Sequence, residues 1–177
     1  MSSVVTTTII KQNKLQSLKA KTKIKRFDNP DVIKKGKSEL MFLRVLLKFF
    51  SENIRTNIAT ESYPQFYPDF VYICQDTGLC LDIEIDEPYD YESKIPIHYK
   101  GGKDEQRNKY FLANNWLVIR FTEKQVLNFP EECCKFIRNI VECIKSNKTY
   151  NIPNSIEKEK RWTYEESLLM IEDNLRG

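Results

Sequence analysis

The sequence is poor in glycine and histidine and has no long apolar run. Five glycines and seven prolines in 177 residues exclude collagen-like and Gly/Pro-rich low-complexity chains. No apolar stretch approaches the roughly 18 residues that a bilayer-crossing helix needs, so no membrane partner is expected. The segment 4–10 is broken by three threonines and no cleavage-like site follows, which excludes a secretory signal core; a cytoplasmic location is the expectation. The five cysteines are odd in number and contain no CxxC pair, and the single histidine, His98, is far from all of them in sequence. The paired spacing of a structural zinc site is missing, so free thiols in a reducing compartment are expected. No internal repeat is present.

What is there fits one globular domain. Hydrophobic residues make up 41% and charged residues 30%, with a mean hydropathy of −0.53. A net charge of +3 hides an asymmetry. Residues 1–38 hold ten Lys/Arg and two acids, a balance of +8, while the remainder carries −5. Lys19, Lys21, Lys23, Lys25 and Arg26 form the densest part of this basic arm. Such an arm either neutralises nucleic-acid phosphates with release of counterions or is a solvated tail.

The elements follow from periodicity and punctuation. Residues 12–37 show weak helical periodicity and end in a loop around Pro30, Asp31 and Gly36. Ser38 reads as the N-cap of a mostly buried helix running to about residue 53. Residues 54–60 have room for a short strand. Residues 69–74 read as a strand, Asp76-Thr77-Gly78 as a hairpin turn, and residues 79–86 as the return strand. A polar loop with three tyrosines follows Pro88. Asp104 opens a helix to about residue 114. Residues 116–121 are almost continuously apolar and predict a central strand. Thr122 with Gln125 forms a capping box, Pro130 sits at the first position of the next helix, and Thr163 with Glu166 caps the last. The predicted division is a basic arm over 1–37, a core over 38–146, and a linker with a C-terminal helix over 147–177. The fold class is α/β, a mixed sheet with helices on both faces. The C-terminal helix offers Trp162, Leu168, Leu169 and Ile171 to the domain or to a partner helix.

The return strand carries the chemistry. Leu81, Ile83 and Ile85 alternate with Asp82, Glu84 and Asp86, so the three acids share one face. Like charges so placed repel unless they are solvated or converge on a cation, for which magnesium suits carboxylate and water oxygens. Asp69 begins the partner strand across the hairpin. His98 has a pKa near neutrality and suits acid–base work, or it is a loop histidine bonded to the backbone. Asp104 and Arg107 are three apart and can pair on one helix face; Arg107 otherwise faces a phosphate or holds the strand acids. Tyr63, Phe66, Tyr67, Tyr89, Tyr91 and Tyr99 flank this region, either to stack on bases or to pack loops onto the core.

Pro68-Asp69, the Asp-Thr-Gly turn and Asp82-Ile-Glu84-Ile-Asp86 together resemble the active-site strand pair of the PD-(D/E)xK nuclease superfamily. Ser38-Glu39 before an apolar helix, His98, Asp104 with Arg107, and Trp116-Leu-Val-Ile-Arg-Phe121 extend the likeness over residues 38–145. This series is similar to small endonuclease-like domains related to very-short-patch repair endonucleases. The resemblance implies a restriction-endonuclease-like fold in α-β-β-β-α-β-α order. It implies Asp69 and Glu84 as ligands of Mg2+ or Mn2+, with Glu39 joining directly or through water, and a metal-activated water hydrolysing a phosphodiester, in DNA foremost. It also implies a lysine two residues after Glu84, where this chain has Asp86. Asp86 is then a further ligand or the mark of a reshaped or inactive site, and Lys94, Lys100 or Lys103 could reach in from the loop. With no zinc finger or other obvious sequence-reading module in the body, a protein partner or a homodimer is the expected source of specificity. The alternatives to an enzyme are a non-catalytic nucleic-acid-binding or assembly module and a subunit active only in a larger complex.

Overall fold

The computed structural model describes residues 23–26, 35–146 and 156–175. Strand β1 (Ile24–Arg26) pairs antiparallel with β3 (Ile58–Thr60), with Lys25 opposite Ala59. This corrects the helical reading of residues 12–37 where it can be compared, because the exposed edge of β3 supplies a backbone ladder that weak helical periodicity cannot outweigh. Helix α1 spans Lys37–Phe50, one turn short of expectation, and a 3-10 turn, Ser51–Asn53, finishes it. Its N-cap is Gly36 rather than Ser38. Glu39 reaches back to accept the Gly36 N–H, an anion at the positive end of the helix. The expected short strand over 54–60 divides into β2 (Ile54–Arg55) and β3, which join different sheets.

The main sheet has four strands in the order β2, β4 (Phe70–Ile73), β5 (Cys80–Asp86) and β6 (Leu117–Thr122). The first two pairings are antiparallel and β5–β6 is parallel. Gly78 turns the β4–β5 hairpin with φ 72°, the left-handed value expected there. Helix α2 (Asp104–Ala113) crosses between the parallel strands, as a parallel pairing requires. Helices α3 (Glu123–Asn128), α4 (Pro130–Lys145) and α5 (Tyr164–Glu172) follow, and the capping boxes of α3 and α5 form as the sequence predicts.

The β6 strand is terminal in the sheet, not central. Its apolar run reflects burial on both faces rather than neighbours on both edges. On one face Leu117, Ile119 and Phe121 join Leu81, Ile83, Ile85, Phe42 of α1 and Ile137 of α4 in the main core. On the other, Val118 packs with Val71, Cys80, Phe111 and Trp116 in a smaller cluster. The cysteines are free thiols, and four of the five are buried.

The segment after residue 155 returns to the core instead of extending away. Trp162 is buried and donates its indole N–H to the Ile97 carbonyl at 3.2 Å. The Trp162 carbonyl accepts from Lys100 N at 3.0 Å, and Gln125 Nε2 donates to the Glu157 carbonyl at 2.8 Å. Leu168 and Leu169 remain exposed, so Trp162 rather than the helix's leucines makes the attachment. Among the described residues no helix is long and apolar enough to cross a membrane.

Candidate active site

Period-two alternation puts Asp82, Glu84 and Asp86 on the face of β5 opposite Leu81, Ile83 and Ile85, as read from the sequence. That face is not solvated. Asp82 and Asp86 are fully buried and Glu84 nearly so. Helix α2 and the loop before it cover the acids, and arginines compensate them. Arg107 Nη2 donates to Asp82 Oδ1 at 2.8 Å and to Glu84 Oε1. Arg120, on β6 beside β5, grips Asp86 with Nε and Nη2. An isolated buried carboxylate costs several kcal/mol, so these guanidiniums are what permits a three-acid strand to be interior.

Asp69 meets Glu84 along the β4 edge of β5. Asp69 Oδ2 accepts the Ile85 N–H at 2.8 Å, and Glu84 Oε1 accepts the Asp69 N–H at 3.0 Å. This reciprocal clamp across the β4–β5 ladder sets the two carboxylates side by side. Asp69 is pushed well above its ordinary pKa of 3.8, first by burial and then by the charges of Glu84 and Glu39; the Ile85 N–H and Lys35 pull it back. Asp82 is also pushed well up, again first by burial, with Arg107 opposing and Glu84 reinforcing. Glu39 is engaged at the start of α1. Its Oε2 takes the Gly36 N–H and its Oε1 lies 3.4 Å from Lys35 Nζ.

A second cluster lies at the end of β5. Asp86, His98 and Asp104 bring three ligand atoms within 4.8 Å of one another and could hold a metal ion. Among the described residues it is this group, and not Glu39, Asp69 and Glu84, that converges so closely. The Arg120 Nη2 atom, however, contacts all three: Asp86 Oδ1, Asp104 Oδ2 at 3.2 Å and His98 Nδ1 at 3.0 Å. A metal would have to displace it. Arg161 adds a 2.8 Å bond to Asp104 Oδ2 and donates to the carbonyls of His98 and Tyr99. The C-terminal segment thus completes this network, which nothing in the spacing of Arg161 signals.

Asp104 and Arg107 do not pair with each other, contrary to the helix-face expectation. Arg107 finds Asp82 and Glu84 on β5 and Asp104 finds Arg120 on β6, buried partners with which a charge-assisted bond is worth more than at the surface. Arg107 holds the strand acids rather than facing solvent, and its Nη1 is buried with no hydrogen-bond partner. His98 is bonded to Asp104 at 3.1 Å, not to the backbone, and its φ is 54°. Lys94 lies over the rings of Tyr89 and Tyr91. The ammonium that does reach Asp69 and Glu39 belongs to Lys35, which sequence reasoning passed over because it precedes α1. Arg120 was masked by its apolar strand. Of the arm, Lys19 and Lys21 lie outside the described residues; Lys23, Lys25 and Arg26 are exposed at β1. The aromatics divide: Tyr89 is buried and Phe66 packs on Tyr110 and Phe111, whereas Tyr63, Tyr67 and Tyr91 are exposed.

The titrations set a pH dependence. Burial alone would lower His98, but the bond to Asp104 and the charges of Asp86 and Asp104 outweigh it, so its pKa is raised above 6.5. Its contribution is complete below 6.5 and is lost as pH rises through the raised value. The raised Asp69 and Asp82 act in the same sense, favouring the folded state as pH falls toward their shifted values. Burial would raise Asp104, yet His98, Arg120 and Arg161 hold it far below 3.8, so its contribution disappears on acidification below that value. Thermal unfolding in EDTA is expected to show greater stability near about pH 5 than at pH 8, with decline below about pH 4. A melting temperature that climbs steadily from pH 5 to 8 would contradict these assignments.

The chain matches no protein-family model, no curated protein and no solved structure.

Proposed function

We propose that the chain is a metal-dependent endonuclease, acting on DNA phosphodiesters, with a restriction-endonuclease-like core. The observation that carries this reading is the reciprocal Asp69–Glu84 clamp at the mouth of the β4–β5 hairpin. It presents an all-oxygen donor pair of the kind that hard divalent cations prefer. Around it the acids outnumber the permanent cations: Glu39, Asp69, Asp82, Glu84, Asp86 and Asp104 face Lys35, Arg107, Arg120 and Arg161. Burial first, and then repulsion from Glu84 and Glu39, raises Asp69, and a bound cation relieves the repulsion. The helix-first order around a mixed sheet, α1-β2-β4-β5-α2-β6, agrees with the resemblance read from the sequence.

Asp69 and Glu84 would hold Mg2+ or Mn2+, which when bound supplies a water of lowered pKa and neutralises charge at the phosphate. Arg107 fixes the Glu84 carboxylate, and Asp82 shares that arginine. The exposed cations of β1, with the basic residues before it, supply sequence-independent attraction for a phosphate backbone. The test is nicking of supercoiled plasmid by the purified chain in Mg2+, Mn2+ or EDTA, beside Glu84→Ala. Nicking that needs metal and disappears in the variant is expected; metal-independent nicking, or none, rejects the reading.

One observation favours a second reading. The position where the resemblance implies a lysine holds Asp86, and both oxygens of Asp86 are bound by Arg120. A non-catalytic nucleic-acid-binding module would keep this structural pairing and need no metal. It predicts salt-sensitive DNA binding that is unchanged by EDTA and by Glu84→Ala.

A further inference from the structure

We propose that Lys35 is the resident cation of the Asp69–Glu84 site, the one positive charge that a divalent metal exchanges for when it binds. This rests on the metal-site reading above. Lys35 stands immediately before α1, yet its side chain is only 7% exposed. Its Nζ donates to the Asp69 carbonyl at 2.7 Å, lies 3.4 Å from Glu39 Oε1, and sits 4.4 Å from the centre of the Phe70 ring. The ammonium is therefore folded inward over the start of β4 rather than reaching for water.

The other cations of the region are guanidiniums fixed on the acids of β5 and on Asp104, Arg107 among them on Glu84 itself. Arg107 bridges Asp82 and Glu84, Arg120 holds Asp86 and Asp104, and Arg161 holds Asp104. Among the described residues, Lys35 is the ammonium bonded on the Asp69–Glu39 side. It differs from the arginines in kind. A guanidinium locks a carboxylate with a planar fork, whereas an ammonium is a compact charge on a flexible stem. Lys35 makes one long contact with one Glu39 oxygen and donates its shorter bond to the Asp69 backbone carbonyl. Two cations cannot be accommodated there without mutual repulsion. Metal entry thus loosens Lys35, and removal of Lys35 leaves the carboxylates to the metal alone.

The experiment measures Mn2+ affinity by calorimetry for the full chain, Lys35→Met, Lys35→Arg and Asp69→Asn, each checked for a cooperative thermal transition. Lys35→Met is expected to bind Mn2+ about tenfold more tightly, from the loss of one repelling charge. Lys35→Arg, which keeps the charge, is expected to remain within about threefold of the parent. Should Lys35→Met not fold, Lys35→Gln serves as the neutral variant. Equal or weaker Mn2+ binding by the neutral variant, with Asp69→Asn still abolishing it, makes Lys35 a tether of α1 only and overturns the proposal while the metal site stands. Absence of Mn2+ binding in the parent and every variant at millimolar metal removes the metal site and the proposal together.

Discussion

Asp69→Asn is expected to abolish metal-dependent nicking and, in the same preparation, to raise the melting temperature of the metal-free protein. The two effects have one origin. Asp69 is half-buried beside Glu84 and Glu39; loss of solvent first, and then their charges, push its carboxyl well up, so its ionised form is held at a cost in the absence of a cation. Asparagine keeps a carbonyl oxygen for the Ile85 N–H, which Asp69 Oδ2 accepts now, and removes the charge. A gain of about 1–2 kcal/mol near neutral pH is expected, read as a few degrees in thermal unfolding with EDTA. Loss of the charged ligand should lower nicking by at least about 10²-fold. Glu84→Gln makes the contrast. Glu84 accepts from both Arg107 and the Asp69 N–H, so its neutralisation weakens a buried ion pair and should lower the melting temperature as well as the nicking. A site acid retained for function shows this exchange of stability against activity. If Asp69→Asn destabilises the protein and leaves nicking intact, Asp69 is a structural residue of the hairpin.

Arg120→Met is expected to cost about 3–5 kcal/mol, a large part of the 5–15 kcal/mol typical of a whole domain. Asp86 is fully buried and takes Nε and Nη2 of Arg120 on its two oxygens. Asp104 loses a contact in the same change, although Arg161 and His98 remain. Methionine fills much of the volume and none of the charge, so the penalty is that of an uncompensated interior carboxylate. The double variant Arg120→Met with Asp86→Leu should recover most of the loss, because an apolar pair of similar size replaces a buried ion pair at little cost. Urea unfolding of the three proteins checks this. A single-variant loss below about 1 kcal/mol would mean that Asp86 is compensated without Arg120.

The candidate site was half legible in the sequence. The acids could be placed on one face of β5 because a strand alternates with period two whatever it packs against. Asp69 could be set opposite them because the Asp-Thr-Gly turn fixes the hairpin. What occupies the space above the acids was not legible. Arg107 lies 25 residues from Asp82, and Arg120 lies 34 from Asp86. Arg120 was hidden in a run that reads as core, and it does lie in the core, with its charge matched. The Asp104–Arg107 pairing failed because helical spacing shows which groups can meet and not which buried competitor is stronger.

The sequence by itself determined the element order from α1 onward except for the division of residues 54–60, the capping of α3 and α5, the turn at Gly78 and the two faces of β5. Each depends on backbone conformation or periodicity over a few residues. The tertiary structure alone decided that the acidic face is buried, that β6 is a terminal strand covered on both faces, and that β1 pairs with β3. It alone returned Arg161 and Trp162 to the loop around His98 and brought Lys35 onto Asp69. These are partner choices made across tens of residues, and burial decides them: once the acids leave water, the fold must bring a cation to nearly every one of them.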